Sequence, residues 1–165
     1  MHEKCIELLN KAASDELSAI HQYMYFHFHC DDQGFDLLAR LFKKTAIEEM
    51  IHVEKLAERI LFLKGDVDMT AKDKVQQVKD VKGMLELARK MEEDSAKEYN
   101  VWANECSVNS DAISKQLFES LVADEERHYA QYDTELDNIA KFGTSYLALQ
   151  SIERSKTIAA PAPVK

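Results

Sequence analysis

What most constrains this chain is its scarcity of residues that stop a helix. It has 4 Gly and 2 Pro in 165 residues, and both prolines, Pro161 and Pro163, fall in the last five. Many short strands joined by tight turns need more of both, so an all-β sandwich or barrel is disfavoured. Apolar residues instead recur at steps of three and four in four long blocks. The first covers about residues 3–31, with Ile6, Leu9, Ala13, Leu17, Ile20, Tyr23 and Met24 on one face. The second, about 35–63, carries Leu38, Leu41, Thr45, Leu56 and Leu63. The third, about 80–106, carries Leu85, Ala88, Ser95, Tyr99 and Trp102, and the fourth, about 110–141, carries Leu117, Leu121, Tyr132 and Ile139.

Helices of that length, roughly 40–48 Å at ~1.5 Å per residue, need one another's apolar stripes to be stable. The expected fold is all-α: a four-helix bundle over residues 1–154, followed by a tail, 155–165, whose small residues and prolines predict no fixed structure. Gly34 ends the first block, Lys64-Gly65-Asp66 reads as the stop of the second, and Gly143 ends the fourth. Short links make the first and second blocks, and the third and fourth, antiparallel hairpins. The polar, aperiodic stretch 65–79 is long enough to run back along the bundle, which makes the second and third helices parallel. The apolar segment 146–152 predicts a short fifth helix.

Charges interrupt the buried stripes at one level. Glu16 lies midway between Leu9 and Tyr23, Glu49 and His52 lie between Thr45 and Leu56, Glu92 between Ala88 and Ser95, and Glu125 and His128 between Leu121 and Tyr132. Four buried carboxylates without partners would cost several kcal/mol each, so something must compensate them. Two divalent cations would do so. One Glu from each of two helices, with Glu-x-x-His from each of the other two, is a di-iron arrangement of helical bundles.

Two Glu-x-x-His pairs alone mean little, since about 0.6 are expected by chance in a chain with this many Glu and His. The spacing carries more weight. Glu16 to Glu49 and Glu92 to Glu125 are both 33 residues, with His three further on in each case. A duplicated helix pair would bring all six groups together at mid-bundle. Carboxylate and imidazole suit iron, manganese or zinc, and four carboxylates balance two divalent metals. Glu49 and Glu125 are placed to bridge; Glu16 with His52 completes one site and Glu92 with His128 the other.

The remaining composition narrows partners and compartment. A formal net charge of −9 favours small cations over nucleic acid or anionic membranes. Residues 1–10 have no apolar core of signal-peptide length, and no stretch approaches the ~18 apolar residues of a membrane span. Cys5, Cys30 and Cys106 form neither an even framework nor a Cys-x-x-Cys pair, which predicts a reducing cytoplasm.

Over about residues 3–153 the chain resembles the bacterioferritins and the related Dps-like branch of the ferritin superfamily. The resemblance is carried by ELSAIHQY (16–23), EEMIH (48–52), ERILFLKG (58–65), the ML pair with Glu92 beyond it, and DEERH (124–128). It implies a ferritin-like bundle with one long crossover and a ferroxidase centre that holds two irons on Glu16, Glu49, His52, Glu92, Glu125 and His128. It also implies Fe(II) oxidation by O2 or H2O2 and a cage of 12 or 24 identical subunits that stores ferric mineral. A non-storing, peroxide-reducing di-iron enzyme of rubrerythrin type is the alternative, although such enzymes usually add a Cys-x-x-Cys module that this chain lacks. Met50, directly after Glu49, stands where bacterioferritins carry the Met that ligates haem b across a two-fold interface; the simpler reading is a packing Met.

Three weaker features stay open. Tyr23 is either a partner of the metal centre or an ordinary core Tyr. His27, His29 and Cys30 could form an accessory metal site, against solvated histidines at a helix end. Cys30 and Cys106 lie too far apart for a disulfide within one subunit if their helices are antiparallel, leaving them inert or intersubunit. A DNA-binding role has no basic arm to support it.

Overall fold

A computed structural model describes residues 2–160. Its elements are α1 (Glu3–Asp32), α2 (Asp36–Phe62), α3 (Val81–Val108), α4 (Ala112–Phe142) and α5 (Thr144–Ala159), with no strand among the described residues. α1 packs on α2 and α3 on α4 as hairpins, and α1–α3 and α2–α4 contacts close the bundle.

Local chemistry sets the helix ends. Asp80 caps α3 by accepting from the Gly83 N–H (2.7 Å), and Asp111 caps α4 by accepting from the Ser114 N–H (3.0 Å). Asp111 also pairs with Arg59 of α2 at 2.6 Å, tying the start of α4 to the end of α2. The left-handed residue after α2 is Lys64 (φ 65°), not Gly65. Gly65 is needed for room instead, because a Cβ there would lie 2.6 Å from a methyl of Ile6. Gly143, at φ 61° and ψ −148°, holds a conformation open essentially to Gly alone and turns the chain from α4 into α5.

The crossover is fastened along α1 by a polar seam at every fourth residue. The Asn10 amide donates to the Asp66 carbonyl and Ser14 Oγ to the Thr70 carbonyl; Ser18 Oγ accepts from the Asp73 N–H, and Gln22 donates to the Gln76 carbonyl. Gln33 reaches the Lys79 carbonyl at the far end. The segment therefore climbs the whole of α1 and delivers α3 parallel to α2.

Two apolar clusters flank a polar middle. One gathers Tyr23, Phe26, Leu38, Phe42, Met84, Leu85 and Tyr132; the other gathers Leu8, Leu9, Leu56, Ile60, Tyr99, Phe118 and Leu121. At ~25 cal/mol per Å² of apolar surface removed from water, these two clusters dominate the driving force for folding.

The C-terminal expectation needs correction. α5 is longer than the apolar segment 146–152 and runs through Ala159, over the first part of the tail expected to lack structure. Nothing between Thr144 and Ala159 breaks a helix. The end comes at Ala160, whose extended backbone (ψ 137°) is what a residue before a proline prefers. The remainder of the expected tail, residues 161–165, lies outside the described residues.

Candidate metal centre

Glu16, Glu49, His52, Glu92, Glu125 and His128 meet between the two apolar clusters, each no more than 2 % exposed. Their donor atoms form two sets, each with all members within 4.8 Å of one another: Glu16, Glu49, His52 and Glu125, and Glu49, Glu92, Glu125 and His128. Glu49 and Glu125 belong to both. His52 Nδ1 lies 2.7 Å from Glu49 Oε2, 3.3 Å from Glu125 Oε1 and 3.5 Å from Glu16 Oε1. His128 Nδ1 lies 3.0 Å from Glu49 Oε1, 3.4 Å from Glu125 Oε2 and 3.6 Å from Glu92 Oε2. Each shared carboxylate thus turns one oxygen to each imidazole, which is the disposition of a bridging ligand.

Although these atoms are close, several are not aligned to bond one another. Both oxygens of Glu49, Oε1 of Glu125 and the Nδ1 atoms of both histidines are buried without a hydrogen-bond partner. Buried polar atoms are rarely left so, and five converging on one point fit a pair of cations held by carboxylate and imidazole.

Around this ring stands a layer of partners that the sequence reading largely missed. His52 Nε2 faces Asp124 Oδ2 at 3.1 Å, and His128 Nε2 faces Glu48 Oε2 at 2.6 Å. An acid on the outer nitrogen keeps the proton there and turns the Nδ1 lone pair inward, the usual support of a metal-binding His. Arg127 joins the two acids, at 3.0 Å from Asp124 and 3.1 Å from Glu48. Tyr23 donates to Glu92, and Tyr99 donates to Glu16 at 2.8 Å. Apart from the Arg127–Asp124 pair, which lies within α4, each of these links crosses from one hairpin to the other. The available signal was the acid directly before Glu49 and Glu125, in Glu48-Glu49 and Asp124-Glu125, and the Tyr seven residues after Glu16 and after Glu92.

The electrostatics follow from crowding. Burial first, then repulsion from Glu125 and Glu49, raises Glu16 well above the ordinary carboxylate range. Burial and repulsion from Glu49 do the same to Glu92. Burial would also raise Glu125, but the neighbouring Glu92 and the imidazoles of His128 and His52 outweigh it and hold that group low. Burial opposes charge on both imidazoles, yet the carboxylates around them win, so His52 and His128 are held protonated well above neutrality.

The weaker features resolve differently. Tyr23 contacts the centre. A ring nitrogen of His27 sits 2.8 Å from the Ala39 carbonyl, and the His29 ring packs on Tyr25. Neither joins a metal-ligating group among the described residues. Cys5, Cys30 and Cys106 are free thiols at 0 % exposure, buried in the chain's own core. Burial raises the Cys30 thiol to about 12, as befits an inert group. His2, Cys5 and Asp111 also stand close together, but Asp111 is already engaged by Arg59 and Ser114. Met50 is exposed on α2 beside Ile47 and Ile51, turned away from the centre.

No helix of the described residues is long and apolar enough to cross a membrane. The profile of the ferritin-like domain matches residues 6–142. A bacterioferritin of Brucella melitensis is 38% identical over 140 residues, spanning 85% of this chain and 87% of that protein. The solved structure of Desulfovibrio desulfuricans bacterioferritin, described with its di-iron site in different catalytic states, superposes with a TM-score of 0.89 at 33% identity, covering 98% of this chain and 94% of that one. That of Rhodobacter capsulatus bacterioferritin, described with a metal-free dinuclear site and haem iron, gives 0.86 at 33% identity, covering 98% and 97%.

Proposed function

The chain belongs to the ferritin family as a bacterioferritin, and from that premise we propose that it stores and detoxifies iron, oxidising Fe(II) at Glu16, Glu49, His52, Glu92, Glu125 and His128. The observation that carries this is the pair of donor sets sharing Glu49 and Glu125, with unpartnered buried atoms facing one another. Two irons bound there supply paired one-electron chemistry suited to reducing O2 or H2O2. The protein's part is to position and to insulate. Glu49 and Glu125, common to both donor sets, would hold the two cations together, and Glu16 with Tyr99, and Glu92 with Tyr23, would close the two ends. Glu48 and Asp124 keep the imidazoles aimed inward, and the flanking apolar clusters exclude water.

Assembly into a cage is the second part of the reading. Ile47, Met50 and Ile51 form an exposed apolar strip on α2, suited to a second copy of the chain. Met50 at its centre would offer its thioether to a haem held between two copies. The buried reduced thiols accord with a cytoplasmic location. The test is iron per subunit in the protein peak on size exclusion after aerobic loading with excess Fe(II). Tens of irons on a particle of several hundred kilodaltons is the expected result. About two irons on a monomer or dimer would refute storage and leave a di-iron redox enzyme.

A further inference from the structure

A cavity of about 380 Å³ opens beside α1 and α3 and is lined by Glu16, Glu49, Glu92 and Glu125 of the metal centre. A second hollow of about 400 Å³ lies next to it, with Lys11, Ser14 and Trp102 in its wall. Three residues line both: Asp15 of α1, Glu98 of α3 and Lys72 of the crossover. The Lys72 ammonium lies 2.9 Å from Asp15 and 4.0 Å from Glu98, so it spans from one helix to the other where the two spaces meet. Its backbone is fixed on α1: the Lys72 N–H donates to the Ser14 carbonyl at 3.2 Å and the Asp73 N–H to Ser18 Oγ at 2.9 Å.

This places a positive charge across the approach to a centre that binds positive ions. We propose that Lys72 is a gate on the route of divalent cations to the metal centre. A cation passes from the outer hollow to Glu16 and Glu92 when the ammonium swings off Asp15 and Glu98, and it meets the carboxylates thus freed. The latch is loose toward Glu98, where both side chains are about half exposed, and firmer at Asp15, which is 10 % exposed. Because the ammonium itself is half exposed, water takes up its charge as it leaves. The backbone bonds to α1 keep the strap in place while the side chain moves. Lys97 also lines the inner cavity, but it pairs with Glu93 on its own helix and spans nothing. This inference rests on the six residues binding metal.

The test is stopped-flow uptake of Co(II) by the full-length, metal-free protein, read from the cobalt visible spectrum at neutral pH, in wild type, Lys72→Met, Lys72→Arg and Lys97→Met. Lys72→Met is expected to speed uptake about five-fold or more with an unchanged end-point, whereas Lys72→Arg stays as slow as wild type. Lys97→Met removes the same charge from the same rim and is expected to stay within about two-fold of wild type, which separates a latch from general steering. Equal acceleration in Lys72→Met and Lys97→Met, or none in either, overturns the gate and leaves the metal centre standing. A wild type that takes up no Co(II) overturns the metal centre and the gate with it.

Discussion

In the α1–α2 hairpin Glu49 is preceded by Glu48 and followed by Met50 and Ile51. In α3–α4, 76 positions on, Glu125 is preceded by Asp124 and followed by Glu126 and Arg127. Facing inward, the hairpins are near copies: Glu16 and Glu92, His52 and His128, Tyr23 and Tyr99 occupy matching places. Facing outward they diverge. α2 presents exposed Ile47, Met50 and Ile51, whereas the matching face of α4 carries Ala123, Glu126 and Arg127. The likeness is confined to what two cations of one kind would require. The difference shows α2 fitted to meet another apolar surface and α4 to carry the charges that steady the outer acids. Because each hairpin's Tyr and outer acid contact the inner residues of the other, neither half is complete alone.

Breaking the inner likeness should have the largest effect. Glu49→Ala removes a ligand from both donor sets and should abolish iron oxidation, with metal per subunit falling below one by elemental analysis. Glu92→Ala and His128→Ala spoil one set and should retain a single bound ion while losing oxidation; full activity in both would sink the site assignment. The outer acids come next. Glu48→Gln should weaken metal binding about 10–100-fold at the site of His128, and Asp124→Asn likewise at that of His52, as read by Co(II) titration. A much larger effect from one of them would show that the halves are unequal inside as well.

Protons give the third test. In the metal-free layer the surrounding carboxylates hold His52 and His128 charged, while burial and mutual repulsion raise Glu16 and Glu92. Cations must therefore expel protons on binding. Affinity falls as pH falls, by about ten-fold per pH unit for each proton displaced. Titration calorimetry in two buffers of different ionisation heat counts those protons; none released would contradict the assignment of charges. Smallest is the tyrosine pair: Tyr23→Phe and Tyr99→Phe should each cost about 1–2 kcal/mol of metal-free stability by denaturant titration, in near-equal amounts.

The four helices and the six inner residues were legible in the sequence because each follows from a fixed period or a fixed spacing. The polar seam on α1 was also written there, as Asn10, Ser14, Ser18 and Gln22, but polar residues at helical steps read as a solvated face until the crossover is seen lying on them. The outer acids were hidden for another reason. Asp124 could as well have paired only with Arg127 on its own helix, and its second pairing, with His52, is a property of how the hairpins meet. Lys64 in the left-handed conformation, with Gly65 reserved for the approach of Ile6, likewise depends on a residue distant in sequence. The longer α5 is a local matter: a low-complexity tail was read as unstructured, although nothing before Pro161 stops a helix.

The charged waist divides the apolar interior into two separate seals. In a bundle with one continuous core, fraying at either end wets the whole interior in stages. Here water that enters past Phe26 and Phe42 at one end meets the carboxylate layer while Leu56, Ile60 and Phe118 at the other remain dry. A bundle built this way can loosen at one end and still be held shut at the other.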